Sequence, residues 1–409
     1  MHLAPEIKKK KALLILSIIL NIGLLAFFKY ANFFIENINS ILSELGSAPI
    51  KWAAIALPIG ISFYTFQTLT YSIDVYRGIH APLKKVSDYM LYIIMFPQLI
   101  AGPIVRFNEI ADQITFREEK AFDKLSGFYR FCIGLAKKVL IANVLGETAD
   151  QLIALSPDDM TSATAWMGIM AYAFQIYFDF SGYSDMAIGL GKMMGFHFPE
   201  NFNNPYTAKS ITDFWRKWHI TLGTWMRDYL YIPLGGNRVA TTRKLYFNLW
   251  LVFLISGLWH GAAWNFVLWG AFHGFFLVAE RLFLLNIYNK IGSAVSIAIT
   301  FLITLCGWVI FRIEDMDRIK IYFAKMFHFD FSNLGDKIDN EFLVTFLTAV
   351  LFSFFVLLPK GKMIQEQFYS PRNSVKNNLL MFFFSLVLFV FCLGAISAAS
   401  FNPFIYFRF

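Results

Sequence analysis

Two histidines, His219 and His260, stand forty-one residues apart in a chain that is otherwise strongly apolar. His260 lies in Gly257-Leu258-Trp259-His260-Gly261-Ala262, at the end of an apolar run that begins near Leu245, and His219 closes Asp213-Phe214-Trp215-Arg216-Lys217-Trp218-His219. An ionisable ring at membrane depth is costly, and it is rare unless it faces a protein interior or a watered cavity. The chemistry that suits it is general base catalysis: removal of a proton from an acceptor hydroxyl as it attacks a thioester or ester carbonyl. Histidine, with an ordinary pKa of about 6.5, fits that task, and a desolvated ring stays neutral and able to accept. The bland alternatives are a packed His260 bonded to a helix carbonyl and an interfacial His219 stacked among tryptophans. His273 reads as structural, and His2, His80, His197 and His328 fall near loops. Neither His219 nor His260 has a carboxylate or thiol at ligand spacing, and there is no H-E-x-x-H, so no metal is expected. Cys132, Cys306 and Cys392 sit in apolar segments and read as small core residues.

The elements that must carry these rings are membrane helices. Of 409 residues, 57% are hydrophobic and 16% charged, against roughly 25% charged in soluble domains. The fold class expected is all-α: a polytopic membrane protein of roughly nine or ten hydrophobic helices, with re-entrant and interfacial pieces, enclosing a polar funnel. The spans fall at 12–36, 53–76, 88–104, 127–146, 162–190, 245–260, 264–285, 293–311, 342–358 and 378–398. No Gly/Ser/Pro-rich linker or fixed-period repeat divides the chain, so 1–409 reads as a single domain. Lys8 to Lys11 precede an apolar run, Ala12 to Ile35, that is too long for a signal peptide and reads as a first span. The 88–104 piece, interrupted by Pro97, Gly102 and Pro103, reads as re-entrant or broken. Lys137 and Lys138 fall inside 127–146 and suggest an amphipathic interfacial helix there instead of a span.

The net charge of +8 sits in short loops between spans, a positive-inside pattern that excludes nucleic acid as a partner. Segments 77–85, 197–244 and 359–377 are rich in Lys and Arg and read as cytoplasmic, while the acidic 147–161 reads as external. From Lys244 to His260 a helix rises about 24 Å, short of a hydrocarbon core about 30 Å thick. His260 is therefore expected below the outer surface, at the tip of a helix that turns at Gly261. Phe214 to Arg238, FWRKWHITLGTWMRDYLYIPLGGNR, interleaves aromatic and basic groups and suits an interfacial helix bordering a polar cavity, ended by the Gly235-Gly236-Asn237 turn. Asp213, Arg216, Arg227, Asp228 and Arg238 either meet donor phosphates or pair with one another and with lipid headgroups. Asp179 and Asp185, buried acids that need partners, read as a structural network.

The FWRKWH and LGGNR stretches, with Trp259-His260-Gly261, resemble the membrane-bound O-acyltransferase (MBOAT) family, closest to a bacterial branch that includes alginate O-acetylation and teichoic-acid D-alanylation proteins. Pro58 to Gln67, Asp74 to Arg77, Phe96 to Ile104, Tyr177 to Asp185 and Asn201 to Tyr206 match in order along nearly the whole chain. Members usually begin with further membrane helices before the equivalent of Ala12, so this chain is expected to lack them. The resemblance implies that His260 is the catalytic base and His219 the second functional position. Trp215, Trp259, Asp213, Arg227 and Asn237 are then candidates for the substrate channel or donor site. The aromatic tail 401–409 resembles a terminal motif in which the counterpart of Tyr406 is proposed to carry an acyl group; an aromatic membrane anchor is the other reading. Further implications are an acyl-CoA (acetyl-CoA) or carrier-protein thioester as donor with no bound cofactor, a glycan acceptor, an extracytoplasmic hydrolase-like acyltransferase partner, and residence among the lipids of a bacterial cytoplasmic (inner) membrane. The rivals are a lipid acyltransferase with a long-chain donor, a transporter for a lipid-linked glycan, and a non-catalytic scaffold.

Overall fold

A computed structural model describes residues 7–332, 334–369, 374–398 and 404, and the described residues are helical with no strand. Helix α1, Ile7–Glu44, is followed by α2, Ile61–Arg77, and by the short pieces α3, Val86–Ile94, α4, Phe96–Leu99, and α5, Phe107–Thr115. A long rod comprises α6, Ala121–Ala136, a π-helical stretch over Lys137–Ala142, and α7, Asn143–Ile153; it leads to α8, Ser162–Met193. Two seven-residue helices, α9, Ile211–Lys217, and α10, Ile220–Met226, precede α11, Thr242–His260, and α12, Trp264–Ala279. The remainder is α13, Leu285–Ile291, α14, Ser293–Arg312, α15, Met316–Met326, α16, Asn340–Phe354, α17, Gly361–Tyr369, and α18, Val375–Ala398.

Among the described residues, five helices are long and apolar enough to cross a membrane: Ile7–Glu44, Trp264–Ile291, Ser293–Arg312, Asn340–Leu357 and Val375–Ala398. The first and the last two leave rows of large apolar side chains exposed, among them Leu16, Ile19 and Leu24 on α1 and Phe383, Val387 and Phe391 on α18. Surfaces of that kind are stable only against lipid. The protein is a multi-pass membrane protein.

Another long helix is buried within the protein instead. α8 runs 32 residues through the core and packs against α6 and α7. Glycines allow the contact: a Cβ on Gly127 would lie 2.5 Å from the Gly189 carbonyl oxygen, and one on Gly134 would lie 2.5 Å from that of Gly182. That approach brings the charges of one helix onto those of the other. Lys138 meets Asp179 at 2.5 Å, Lys137 meets Asp185 at 2.7 Å, and Arg130 bridges Asp185 and Glu200 at 2.6 Å each. The interfacial reading of 127–146 is thereby corrected. The lysines face acids on α8, not a membrane surface, and the rod continues unbroken past them.

Two further expectations change. The 53–76 span begins only at Ile61, because Pro58 and a left-handed Gly60 (φ 78°) precede it and a side chain at Gly60 would strike the Leu99 carbonyl oxygen. The aromatic stretch 214–238 is not one interfacial helix. It breaks at His219, and Trp218 and Trp225 are buried. The 88–104 segment is broken, with α3 and α4 meeting at Met95.

Candidate active site

α11 and α12 form the hairpin that carries His260. They pack through small residues: a Cβ on Gly270 would lie 2.5 Å from the Phe253 carbonyl oxygen, and one on Gly257 would overlap that of Phe266. His260 is the last residue of α11, and Gly261 extends the chain away from it where the Phe266 ring leaves no room for a side chain. The imidazole is 8% exposed and lies edge-on among rings, 5.0 Å from Trp259, 5.1 Å from Trp269 and 5.4 Å from Phe311.

His219 reaches the same place by a different route. Its backbone is left-handed (φ 45°), a conformation that carries strain for a residue with a side chain. Asn201 holds it there. The Asn201 carbonyl oxygen accepts from Ile220 N–H at 2.9 Å, while its side-chain Oδ1 accepts from the Thr221 hydroxyl at 2.8 Å and from Thr221 N–H at 3.3 Å. Asn201 Nδ2 donates to Ser184 Oγ on α8 at 3.0 Å. A backbone N–H can only donate, so the amide oxygen is fixed on this side, and His219 Nδ1, 3.0 Å away, must be the protonated nitrogen. The lone pair of the neutral ring then lies on Nε2, which is buried and has no hydrogen-bond partner among the described residues. Burial pushes the His219 pKa down to about 3, and the ring is neutral.

Trp259 sits between the two imidazoles, its ring 5.0 Å from that of His260 and 6.2 Å from that of His219. It is backed by Phe66, which stacks on Trp259 and on Trp225. Trp215 joins through Trp269 and donates its indole N–H to His273 Nδ1 at 3.3 Å, which gives His273 a place in the wall. His219, Trp259, His260 and Trp215 therefore form one cluster.

The other candidates lie elsewhere. Asp213 accepts from Lys217 Nζ at 3.0 Å and from Lys209 N–H at 3.1 Å, beside the Ser210 cap of α9. Arg227, its side chain 60% exposed, pairs with Asp228 at 2.7 Å; Asp228 also takes Arg106 at 2.5 Å, and its carbonyl takes Arg77. Asn237 accepts from the Tyr231 hydroxyl at 2.7 Å and from Arg281 at 3.2 Å, just beyond the left-handed Gly235 and Gly236. These contacts make a basic rim, apart from the rings. Tyr406 lies outside the described residues. Phe404 is described and meets Tyr183 edge-to-face at 4.7 Å, beneath the Lys138 ammonium. Among the described residues no three His, Cys, Asp or Glu side chains group to hold a metal.

Sequence reasoning missed two residues that touch this cluster. Asn201 was visible only as part of a motif, and nothing in its spacing announces that it orients His219. Lys29 was more findable: it is the one charged residue between Ala12 and Ile35, and the rule that singled out His260 applies to it equally. It lies 9% exposed, and its ammonium reaches the carbonyls of Trp259 and His260.

Two buried imidazoles, one at the C-terminal end of α11 and one just before α10, thus share a ring cluster inside an all-helical membrane protein. Residues 81–313 match the model of the MBOAT, membrane-bound O-acyltransferase, family. The chain is 41% identical to the probable alginate O-acetylase AlgI of Azotobacter vinelandii, over 97% of this chain and 84% of that protein. It is 40% identical to a peptidoglycan O-acetyltransferase of Helicobacter pylori, over 75% of this chain and 63% of that protein, and 28% identical to a teichoic acid D-alanyltransferase of Bacillus subtilis, over 62% and 68%. The chain belongs to the membrane-bound O-acyltransferase family, and the protein is a membrane-bound O-acyltransferase.

Proposed function

We propose that the protein transfers an acyl group, acetyl in the first instance, from a cytoplasmic thioester donor (acetyl-CoA or a carrier-protein thioester) across the bacterial inner membrane to hydroxyls of an extracellular polysaccharide or cell-wall glycan. Alginate-like polymer and peptidoglycan are the acceptors that the names of its relatives support. The observation that carries the reading is the pair of buried imidazoles flanking Trp259, one of them with an oriented lone pair. His260 takes the proton of the acceptor hydroxyl; the oxygen attacks the acyl carbonyl, the thiolate leaves, and the proton follows to the sulfur. His219, its tautomer set by Asn201, holds the acceptor or donor group against that base. Arg227 and Asn237, on the basic rim, meet the donor's phosphates, and Asp213 holds the helix that carries Trp215. An extracytoplasmic hydrolase-like partner completes delivery to the polymer.

A long-chain donor is the second reading, favoured by one feature. A cavity of about 880 Å³ lies between α6, α8, α16 and α18, lined by charged groups such as Arg130 and Glu200 and by apolar rings such as Phe352, Phe355 and Phe384. Neither histidine lines it, although Asn201 and Ile220 do.

Labelled acyl transfer from thioester to glycan oligomer, measured on protein in lipid nanodiscs, tests both. His260→Ala is expected to transfer about 10³-fold more slowly at an unchanged thermal midpoint. Parental activity in that variant overturns the proposal, and competition between acetyl and palmitoyl thioesters separates the two donors.

A further inference from the structure

The last four carbonyls of an α-helix have no donor within the helix, and in α11 those are Gly257 to His260, the turn that carries the candidate base. Gly261 N–H takes the Gly257 carbonyl at 3.3 Å. The other three are taken by α1. The Tyr30 hydroxyl donates to the Leu258 carbonyl at 2.7 Å, and the Lys29 ammonium donates to that of Trp259 and, at 3.1 Å, to that of His260. The third ammonium proton points to Ser62 Oγ on α2, 3.3 Å away. An ammonium has three donors, and here each has an acceptor.

Lysines on membrane helices ordinarily stretch to the interface. Lys29 turns inward instead, from a helix whose apolar side chains are largely exposed. Its charge also lies where a helix C-terminus favours a cation. Nearby, Trp264 Nε1 donates to Asn37 Oδ1 at 2.8 Å, so α1 grips the α11–α12 turn from both sides.

We infer that Lys29 is a positioning residue for acyl transfer: from α1, outside the residues the family model matches, it fixes the terminal turn of α11 and with it the direction of the His260 ring. The inference rests on the reading of His260 as the base. Lys29 touches no reacting atom in this scheme; it acts through the backbone that carries the imidazole. Misplacement of a reacting group by about 1 Å costs on the order of 100-fold in rate, so a loosened turn shows in kcat before it shows in binding.

Lys29→Met keeps the apolar stem and removes the charge and its donors; Lys29→Arg restores a cation that donates in the same direction. Both are compared with the parent and His260→Ala in nanodiscs, with kcat and KM per folded molecule and the thermal midpoint of each. The expected result for Lys29→Met is a kcat lower by about 10- to 100-fold with KM little changed, most of it recovered in Lys29→Arg. An inert His260→Ala beside a Lys29→Met with parental kcat overturns the inference and leaves the base standing. An active His260→Ala overturns both. A loss that Lys29→Arg fails to recover, that falls on KM, or that only tracks the amount of folded protein also overturns it.

Discussion

Lys137, Lys138 and Arg130 in the α6–α8 core are met by Asp185, Asp179 and Glu200, charge against charge. The cluster around Trp259 is built from neutral rings instead. His219 and His260 are met by ring edges, by one oriented amide and by a helix end whose carbonyls a lysine holds, and His219 Nε2 has no hydrogen-bond partner among the described residues. The difference is one of how burial is made tolerable. An ion taken from water needs a counter-ion close by, and once matched it has little capacity left for a ligand. A neutral imidazole costs less to bury, so one nitrogen can remain open at about 1–3 kcal/mol. The first region suits a strut between helices, and the second suits chemistry.

The largest effect that separates the two regions is on stability. Asp185→Ala leaves Arg130 and Lys137 buried around a missing carboxylate, and the loss expected is about 3–5 kcal/mol, read as a lower thermal midpoint or denaturant midpoint in detergent. Acyl transfer per folded molecule is expected to stay near the parent. Joint replacement of Lys138 and Asp179 by Met and Leu sharpens the contrast, because an apolar pair of similar volume relieves the desolvation on both sides and leaves stability near the parent. Activity lost in Asp185→Ala at full fold would break the comparison.

The next effect falls on the ring cluster. Asn201→Ala removes the acceptor that fixes the His219 tautomer and the left-handed turn beneath it. A decrease of about 100-fold in kcat is expected, with a smaller change in thermal midpoint than Asp185→Ala shows. An unchanged kcat would reduce His219 to a packing residue and leave His260 alone at the site.

How much of this was legible in the sequence follows from the kind of signal each part leaves. Membrane helices announce themselves by apolar length, and an ionisable residue inside one stands out, which is why His260 and the acids Asp179 and Asp185 could be read directly. Lys29 carried the same signal, but near a basic N-terminus it passed for part of an ordinary first span. The pairing of Lys137 and Lys138 with α8 was not legible, because it depends on glycines that let two backbones touch some fifty residues apart in the chain. The break at His219 was hidden for a related reason: its cause, Asn201, lies on a separate loop and acts through three hydrogen bonds that leave no periodic trace. Function was carried by motifs, while position was carried by contacts between segments.

The smallest effect belongs to the rim, a third surface against which the comparison can be checked. Arg227 is largely exposed and shares Asp228 with Arg106, whose side chain is 15% exposed and also bonds Glu109 at 2.8 Å. Arg227→Ala leaves Asp228 paired, so the stability change expected is below about 1 kcal/mol. An anionic donor approaching this rim feels mainly a screened charge, so loss of Arg227 should raise KM for the donor, more at low ionic strength than at high, and leave kcat alone. Donor titrations at two salt concentrations read that directly. A kcat lowered as far as in Asn201→Ala would carry Arg227 from the rim to the reacting groups, and the open region of the molecule would then extend from the buried rings to an exposed guanidinium.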